Sequence, residues 1–189
     1  MSALLNKFAD SAPVSTRMLD GRTTLATIVQ SSTVELFQVF EIAVAPIPSV
    51  QRLPADLDRQ LSAAAGFSST ALNGTLALFL PSEICTQAKP ANVRSYEPRD
   101  WTRELCNQLA GRVKNRLHSC NIDLKTGLPT SVTSALMERH RTGKPPEVIF
   151  GFRALRGEIT VTMTGQIDFT QIVYTGSRGA AQEGDVILF

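Results

Sequence analysis

The sequence predicts an α+β protein, an antiparallel-rich sheet with two long helices packed on it. Three observations lead there. Apolar residues recur at helical spacing over two long stretches, Thr23 to Phe40 and Arg99 to His118. Short apolar or alternating runs bounded by Gly, Pro and Asn lie between and after them. The resulting order, helix, strands, helix, strands, is that of an α+β sandwich, and two copies of a helix-plus-strands unit would produce it.

The 189 residues suffice for one domain with a real core, needing neither disulfides nor metal. Residues 1–20 read as an N-terminal arm and 21–189 as a single domain. A net charge of +2 is too small to argue for nucleic acid or an anionic membrane surface. Cys85, Cys106 and Cys120 are odd in number and lack C-x-x-C spacing, so reduced thiols in a cytoplasmic protein are expected. The N-terminus lacks the layout of a signal peptide, and no apolar run approaches the ~20 residues that span a bilayer.

In the first helix, Leu25, Ile28, Val29, Ser32, Leu36 and Phe40 share a face, and Gly21 lies just before it. Glu41 to Val44 then reads as a strand broken by Pro46 and Pro48. Leu61–Phe67 and Gly74–Phe79 read as a hairpin turning at Asn73-Gly74, because both residues tolerate positive φ. The run Thr75 to Leu80 alternates poorly, as a strand covered on both faces would. Ser82 to Ala88 suggests a short helix capped by Ser82, and Lys89 to Pro98 a linker.

Arg99 to His118 is the best-formed amphipathic helix, with Asp100 placed to cap it and Pro98 to stop any earlier helix. Taking Glu104 as zero and about 100° per residue, Leu105, Leu109, Val113 and Leu117 fall between roughly 100° and 220°. Cys106 and Ala110 widen that stripe. Glu104, Asn107, Gly111 and Lys114 share the other side, within roughly 80° of one another. A carboxylate and a carboxamide one turn apart therefore face solvent, with a glycine beyond them. That glycine costs the helix about 1 kcal/mol relative to alanine, and close approach of a partner's backbone is one reason to keep it.

Ile122 to Thr130 reads as a strand running into a Gly/Pro turn, Ser131 to Arg141 as a short helix or loop, and Gly143 to Pro146 as a break. Val148–Phe152 and Glu158–Met163 form a hairpin around Leu155-Arg156-Gly157. Ile159, Val161 and Met163 alternate with Thr160 and Thr162, which predicts one buried face. Residues 165–189, with Thr170–Tyr174 and Val186–Phe189 as strands, read as an appended hairpin that extends the sheet or reaches a second subunit.

The pattern E-L-C-N-Q-L-A-G-R-V-K-N-R-L beginning at Glu104 resembles the phosphatase helix of the CheC/CheX/FliY family, whose members dephosphorylate CheY-type response regulators. Glu104 and Asn107 stand at its E-x-x-N pair, and Asp100, Gly111 and Lys114 match positions around it. The Leu128-Pro129-Thr130 corner is also similar to a family motif. The resemblance covers Thr23 to Thr164 and is closest to the CheX kind. It implies a CheC/CheX-like sandwich of pseudo-duplicated units and activity as an aspartyl-phosphate phosphatase in chemotaxis or another two-component system. The partner would be a phosphorylated CheY-type regulator, and a homodimer is expected. No cofactor of its own is implied, since the Mg²⁺ would belong to the partner. Glu35 and Gln38 repeat the three-residue spacing, but Gln replaces Asn and the later glycine and lysine are missing, so they read as a degenerate repeat.

The chemistry fits those residue types. An aspartyl phosphate is an activated acyl phosphate, so a helper protein chiefly has to place one water in line with the scissile P–O bond. The oxygen and NH₂ of Asn107 can hold a water from two directions without titrating. An ionised Glu104 suits pairing with the regulator's lysine. Gly111, Lys114 and Gln108 would belong to the docking surface. The alternative is a catalytically silent module that binds a regulator or mediates dimerisation, since a fold does not guarantee an activity. A hydrolase with its own nucleophile is disfavoured by the lack of G-x-S-x-G, and His118 and His140 have no carboxylate motif around them. Cys106, His118 and Cys120 lack zinc-ligand spacing.

Overall fold

The computed structural model describes residues 20–48, 60–89, 97–132 and 148–175. The expectations for 1–19, most of the linker after Lys89, residues 133–147 and 176–189 lie outside the described residues.

Helix α1 (Gly21–Gln38) begins where Asp20 caps it, accepting a hydrogen bond from the Thr23 N–H at 2.9 Å. It ends two residues early, because Phe40 and Ile42 both turn their N–H groups back to the Phe37 carbonyl and Glu41 takes φ +57°. Strand β1 (Val44–Ile47) starts where Glu41–Val44 was expected to finish, and it runs through Pro46. Proline is tolerated because β1 is, among the described residues, an edge strand paired only with β6.

β2 (Gln60–Ser68) and β3 (Leu72–Pro81) form the expected hairpin with a different turn. The chain reverses at Ser69, whose hydroxyl accepts from the N–H groups of Ala71 and Leu72 at 3.2 and 2.9 Å. Asn73-Gly74 lies inside β3, and the glycine serves a close approach. A Cβ on Gly74 would collide with the Thr164 carbonyl, and its partner in register, Gly165, sits at φ +124° against Asn73.

The short helix α2 (Ser82–Gln87) follows Pro81 without a side-chain cap, so Ser82 is its first residue rather than its cap. Helix α3 (Pro98–Leu117) incorporates Pro98 at its first turn, where a missing N–H costs nothing. Asp100 is correspondingly inside the helix. It does not cap it; it pairs with Arg103 and places a negative charge at the positive end of the dipole.

Instead of one strand over Ile122–Thr130, two short bridges, β4 (Lys125–Thr126) and β5 (Thr130–Ser131), pair separately with β2. Gly127-Leu128-Pro129 interrupts them, while Ile122 and Leu124 turn into the core. β6 (Val148–Ala154) and β7 (Gly157–Ile167) form the expected hairpin, turning at Leu155-Arg156. β7 is buried on both faces, not one: Thr160 and Thr162 are buried beside Phe79 and Ala77 of β3. The tail does not form the expected strand. Phe169–Gln171 make a 3-10 turn, Ile172 is fully buried, and Thr175 donates to the Ser119 carbonyl, tying the tail to the end of α3.

The sheet order is β1-β6-β7-β3-β2 with β4 and β5 on the outer edge of β2. Reversing it exchanges β7 with β3, β6 with β2, and β1 with the β4/β5 edge. That symmetry is what a duplicated helix-plus-strands unit would build. One face of the sheet carries the core, where Leu76, Leu78, Phe152, Ile159 and Val161 meet Leu25, Leu36, Phe37, Leu105, Leu109 and Val113. α1 covers the β1/β6 end and α3 the β2 end.

Candidate functional site

α3 is held by its apolar stripe. Leu105, Leu109, Val113 and Leu117 are fully or almost fully buried, and the Cys106 thiol donates to the Ala63 carbonyl of β2 at 3.6 Å. Burial pushes that thiol up to about 12, so it stays protonated. At its N-terminal end, Cys85 of α2 donates to the Pro98 carbonyl at 3.4 Å. Trp101 meets Phe40 edge-to-face, 5.9 Å between centroids. Arg116 pairs with Glu35 of α1. Every one of these contacts lies on the buried side or the α1 flank of the helix, so among the described residues its outer face is not used for packing.

On that outer face Glu104 and Asn107 are both exposed. Gln108 donates from Nε2 to Glu104 Oε1 at 3.0 Å, which orients the carboxylate along the helix. Among the described residues no hydrogen bond engages the Asn107 carboxamide. Lys114 is exposed, and a Cβ built on Gly111 would meet nothing within 4 Å. The fold therefore gives no packing reason for glycine there. All five residues singled out from the sequence lie along one side of α3, where Glu104, Asn107 and Lys114 are exposed and Gln108 and Gly111 half-buried. The arrangement can accept hydrogen bonds, hold a water and admit a flat surface, but it has no nucleophile–base pair of its own. Among the described residues no group of three or more His, Cys, Asp or Glu could hold a metal ion. No helix described is long and apolar enough to cross a membrane.

The pair Glu35/Gln38 is not the symmetry mate of Glu104/Asn107. A shift of 81 residues brings the start of β1 (Val44) onto the start of β4 (Lys125) and aligns the burial pattern of α1 with that of α3. It places Thr23 opposite Glu104, Ala26 opposite Asn107 and Gln30 opposite Gly111. Glu35 lies at the far end of α1, where it serves the ion pair with Arg116. An open cleft of about 620 Å³ lies between the β2–β3 turn and the end of β7, lined by Ser69, Asn73, Gln166 and Asp168 among others. It includes none of the residues expected from the sequence.

No family model matches the chain, and no curated protein matches it in sequence. Solved structures do match. The chain is similar to a CheC-like superfamily protein from Shewanella sp. PV-4, at 15% identity and TM-score 0.56, covering 75% of this chain and 98% of that one. Chemotaxis protein CheX from Desulfovibrio desulfuricans matches at 15% identity and TM-score 0.54, over 74% and 97% of the two chains. A chain in the CheX–CheY–BeF3–Mg²⁺ complex from Borrelia burgdorferi matches at 15% identity and TM-score 0.52, over 77% and 99%. The chain has the CheC/CheX-like fold.

Proposed function

We propose that this chain belongs to the CheC/CheX/FliY family and accelerates hydrolysis of the aspartyl phosphate of a CheY-type response regulator. The observation that carries the reading is the exposed Glu104/Asn107 pair, one turn apart on α3 of a CheX-like fold, beside a Gly111 that none of the described residues crowds. A structure of the same fold has been solved in complex with CheY, BeF3 and Mg²⁺, which supports a receiver domain as the partner.

In the proposed reaction a water held by the Asn107 carboxamide attacks phosphorus in line with the bond to the regulator's aspartate. The water oxygen bonds to phosphorus as the P–O bond to the aspartate breaks, the carboxylate leaves with its electron pair, and hydrogen phosphate forms with one proton released to solvent. Glu104, steadied by Gln108, pairs with the regulator's lysine and fixes the register of α3. The divalent ion is the partner's, and this chain brings no cofactor. A two-component partner would place the reaction in the cytoplasm. A second copy of the chain belongs to the same proposal. The described edges are short, β1 with Pro46 inside it and β4/β5 in two pieces, which limits edge-to-edge pairing along them.

The test is decay of phosphorylated response regulators from the same genome, with and without catalytic amounts of this protein. Acceleration that disappears in Asn107→Ala, with binding retained, supports the mechanism, and Glu104→Ala should weaken both. An Asn107→Ala protein as fast as the parent overturns it. Binding of the phosphorylated form without acceleration by the parent would instead make the chain a silent binding module.

A further inference from the structure

The loop between β4 and β5 stands beside the candidate site and presents a leucine to solvent. Leu128 is 90% exposed, and the chain on both sides of it is pinned: Gly127 donates to the Gly66 carbonyl at 2.9 Å, and Thr130 opposes Ala64 in the sheet. A single exposed leucine is ordinary on a protein surface, so what singles Leu128 out is its place beside the Glu104/Asn107 face on a backbone held on both sides.

Its position relative to α3 follows from the packing. With Glu104 at zero and about 100° per residue, Trp101, which meets Phe40 just past the end of α1, and Arg116, which meets Glu35 of α1, fall near 60° and 120°. The core residues Leu109 and Val113 fall near 140° and 180°, and Arg103, Lys114 and Asn107 near 260° to 300°, at about 100° per residue. The Asn107 flank is thus the one turned away from α1, toward the β4/β5 edge, and α3 contacts both of those strands. The levels also agree. α3 runs in the direction of β2, from α2 near Pro81 to the segment leading into Lys125 opposite Ser68. Cys106 sits at Ala63, and Leu128 follows the Gly66 contact three residues later. At ~3.3 Å per strand residue and ~1.5 Å per helix residue that is about six residues along α3, level with Gly111 and Lys114.

Resting on the proposed function, we infer that Leu128 is a docking anchor for the receiver domain. It would seat on an apolar patch bordering the partner's phosphorylated aspartate while Glu104 and Asn107 reach the phosphoryl group. The charges around it suit that occupant. Lys114 and Lys125 are exposed along this flank, with Arg103 engaged by Asp100 and Asp123 the exposed acid near Lys125. A site that holds Mg²⁺ beside an aspartyl phosphate is ringed by carboxylates that the two lysines can meet. Leu128 touches no reacting atom, so its contribution is to affinity and choice of regulator.

The experiment compares wild type, Leu128→Asp and Leu155→Asp. Leu155, 98% exposed at the β6–β7 turn, is a control for adding a surface charge. Readouts are KM and kcat for decay of the phosphorylated regulator, Kd for the regulator charged with beryllofluoride and Mg²⁺, and the melting temperature. Leu128→Asp should raise KM and Kd about 10-fold or more, with kcat and melting unchanged, while Leu155→Asp matches wild type. KM and Kd within twofold of wild type in Leu128→Asp overturn the anchor and leave the phosphatase reading standing. A wild-type protein that neither speeds decay nor binds the charged regulators overturns the proposed function, and the anchor with it.

Discussion

Replacing Gly111 by alanine separates what the fold wants from what a partner wants. The added methyl group would meet nothing within 4 Å, and the residue lies in the third quarter of α3 with the helix continuing on both sides. The only intramolecular effect is then helix propensity, about 1 kcal/mol in favour of alanine. In a chain of this size that corresponds to roughly 2–4 °C in melting temperature. If a regulator's backbone packs against this spot, the same methyl group overpacks the interface. A cost of about 1–3 kcal/mol would weaken association roughly 5- to 150-fold. Denaturant unfolding and regulator decay measured on the same preparation give both numbers. Gly111→Ala should therefore be the more stable protein and the poorer phosphatase, through KM. A destabilised variant would show that the site is not open, and a stabilised variant with unchanged KM would remove Gly111 from the docking surface.

The cysteines should be silent in the native protein. All three are buried thiols outside any disulfide, burial raises the thiols of Cys106 and Cys120, and thiol reagents should label them only at the rate of unfolding. Fast labelling of native Cys106 would contradict its place under α3. The α1 cap predicts an acid-sensitive term. The Thr23 N–H holds the Asp20 carboxyl below its ordinary value, so the stabilisation is complete above about pH 4 and fades as pH falls through the lowered folded value. The stability difference between wild type and Asp20→Asn, from denaturant melts, should be flat above that pH and shift below it. A difference that first shifts between pH 5 and 7 would assign the effect to another group.

Periodicity made the two long helices and the β6–β7 hairpin legible, because each buries a continuous stripe that repeats at its own period. The outward placement of Glu104 and Asn107 was readable from the same wheel. What failed depended on distant neighbours. Asn73-Gly74 looked like a turn because the need for glycine comes from β7, about ninety residues on, and no local pattern announces it. Thr160 and Thr162 read as a solvent face because threonine counts as polar, although they are buried beside Phe79 and Ala77. Pro98 and Asp100 were each placed one role too far out: a proline that stops a helix from one side can begin it from the other. The tail read as a strand because Ile172 and Val173 are β-branched, and packing of Phe169 and Ile172 against the start of α1 overrode that preference.

On the proposed function, the symmetry of the sheet explains why one helix and not two should carry the activity, and it can be tested. At the positions matching Glu104, Asn107 and Gly111, α1 has Thr23, Ala26 and Gln30. The Thr23 hydroxyl and N–H are both committed to Asp20, at 2.9 Å each. Arg22 next to it lies over the Phe169 ring of the tail, 4.4 Å from its centroid. Gln30 sets a long side chain where α3 leaves a gap. Supplying only the reactive pair should therefore not be enough. In an Asn107→Ala background, Thr23→Glu with Ala26→Asn should leave regulator decay at the unassisted rate, because the surface needed for docking is still blocked. Adding Gln30→Gly would open that surface at a cost of about 1 kcal/mol to α1. Partial return of acceleration only in the triple substitution would show that access separates the two halves. Return with Thr23→Glu and Ala26→Asn alone would instead show that the pair is sufficient wherever the fold displays it.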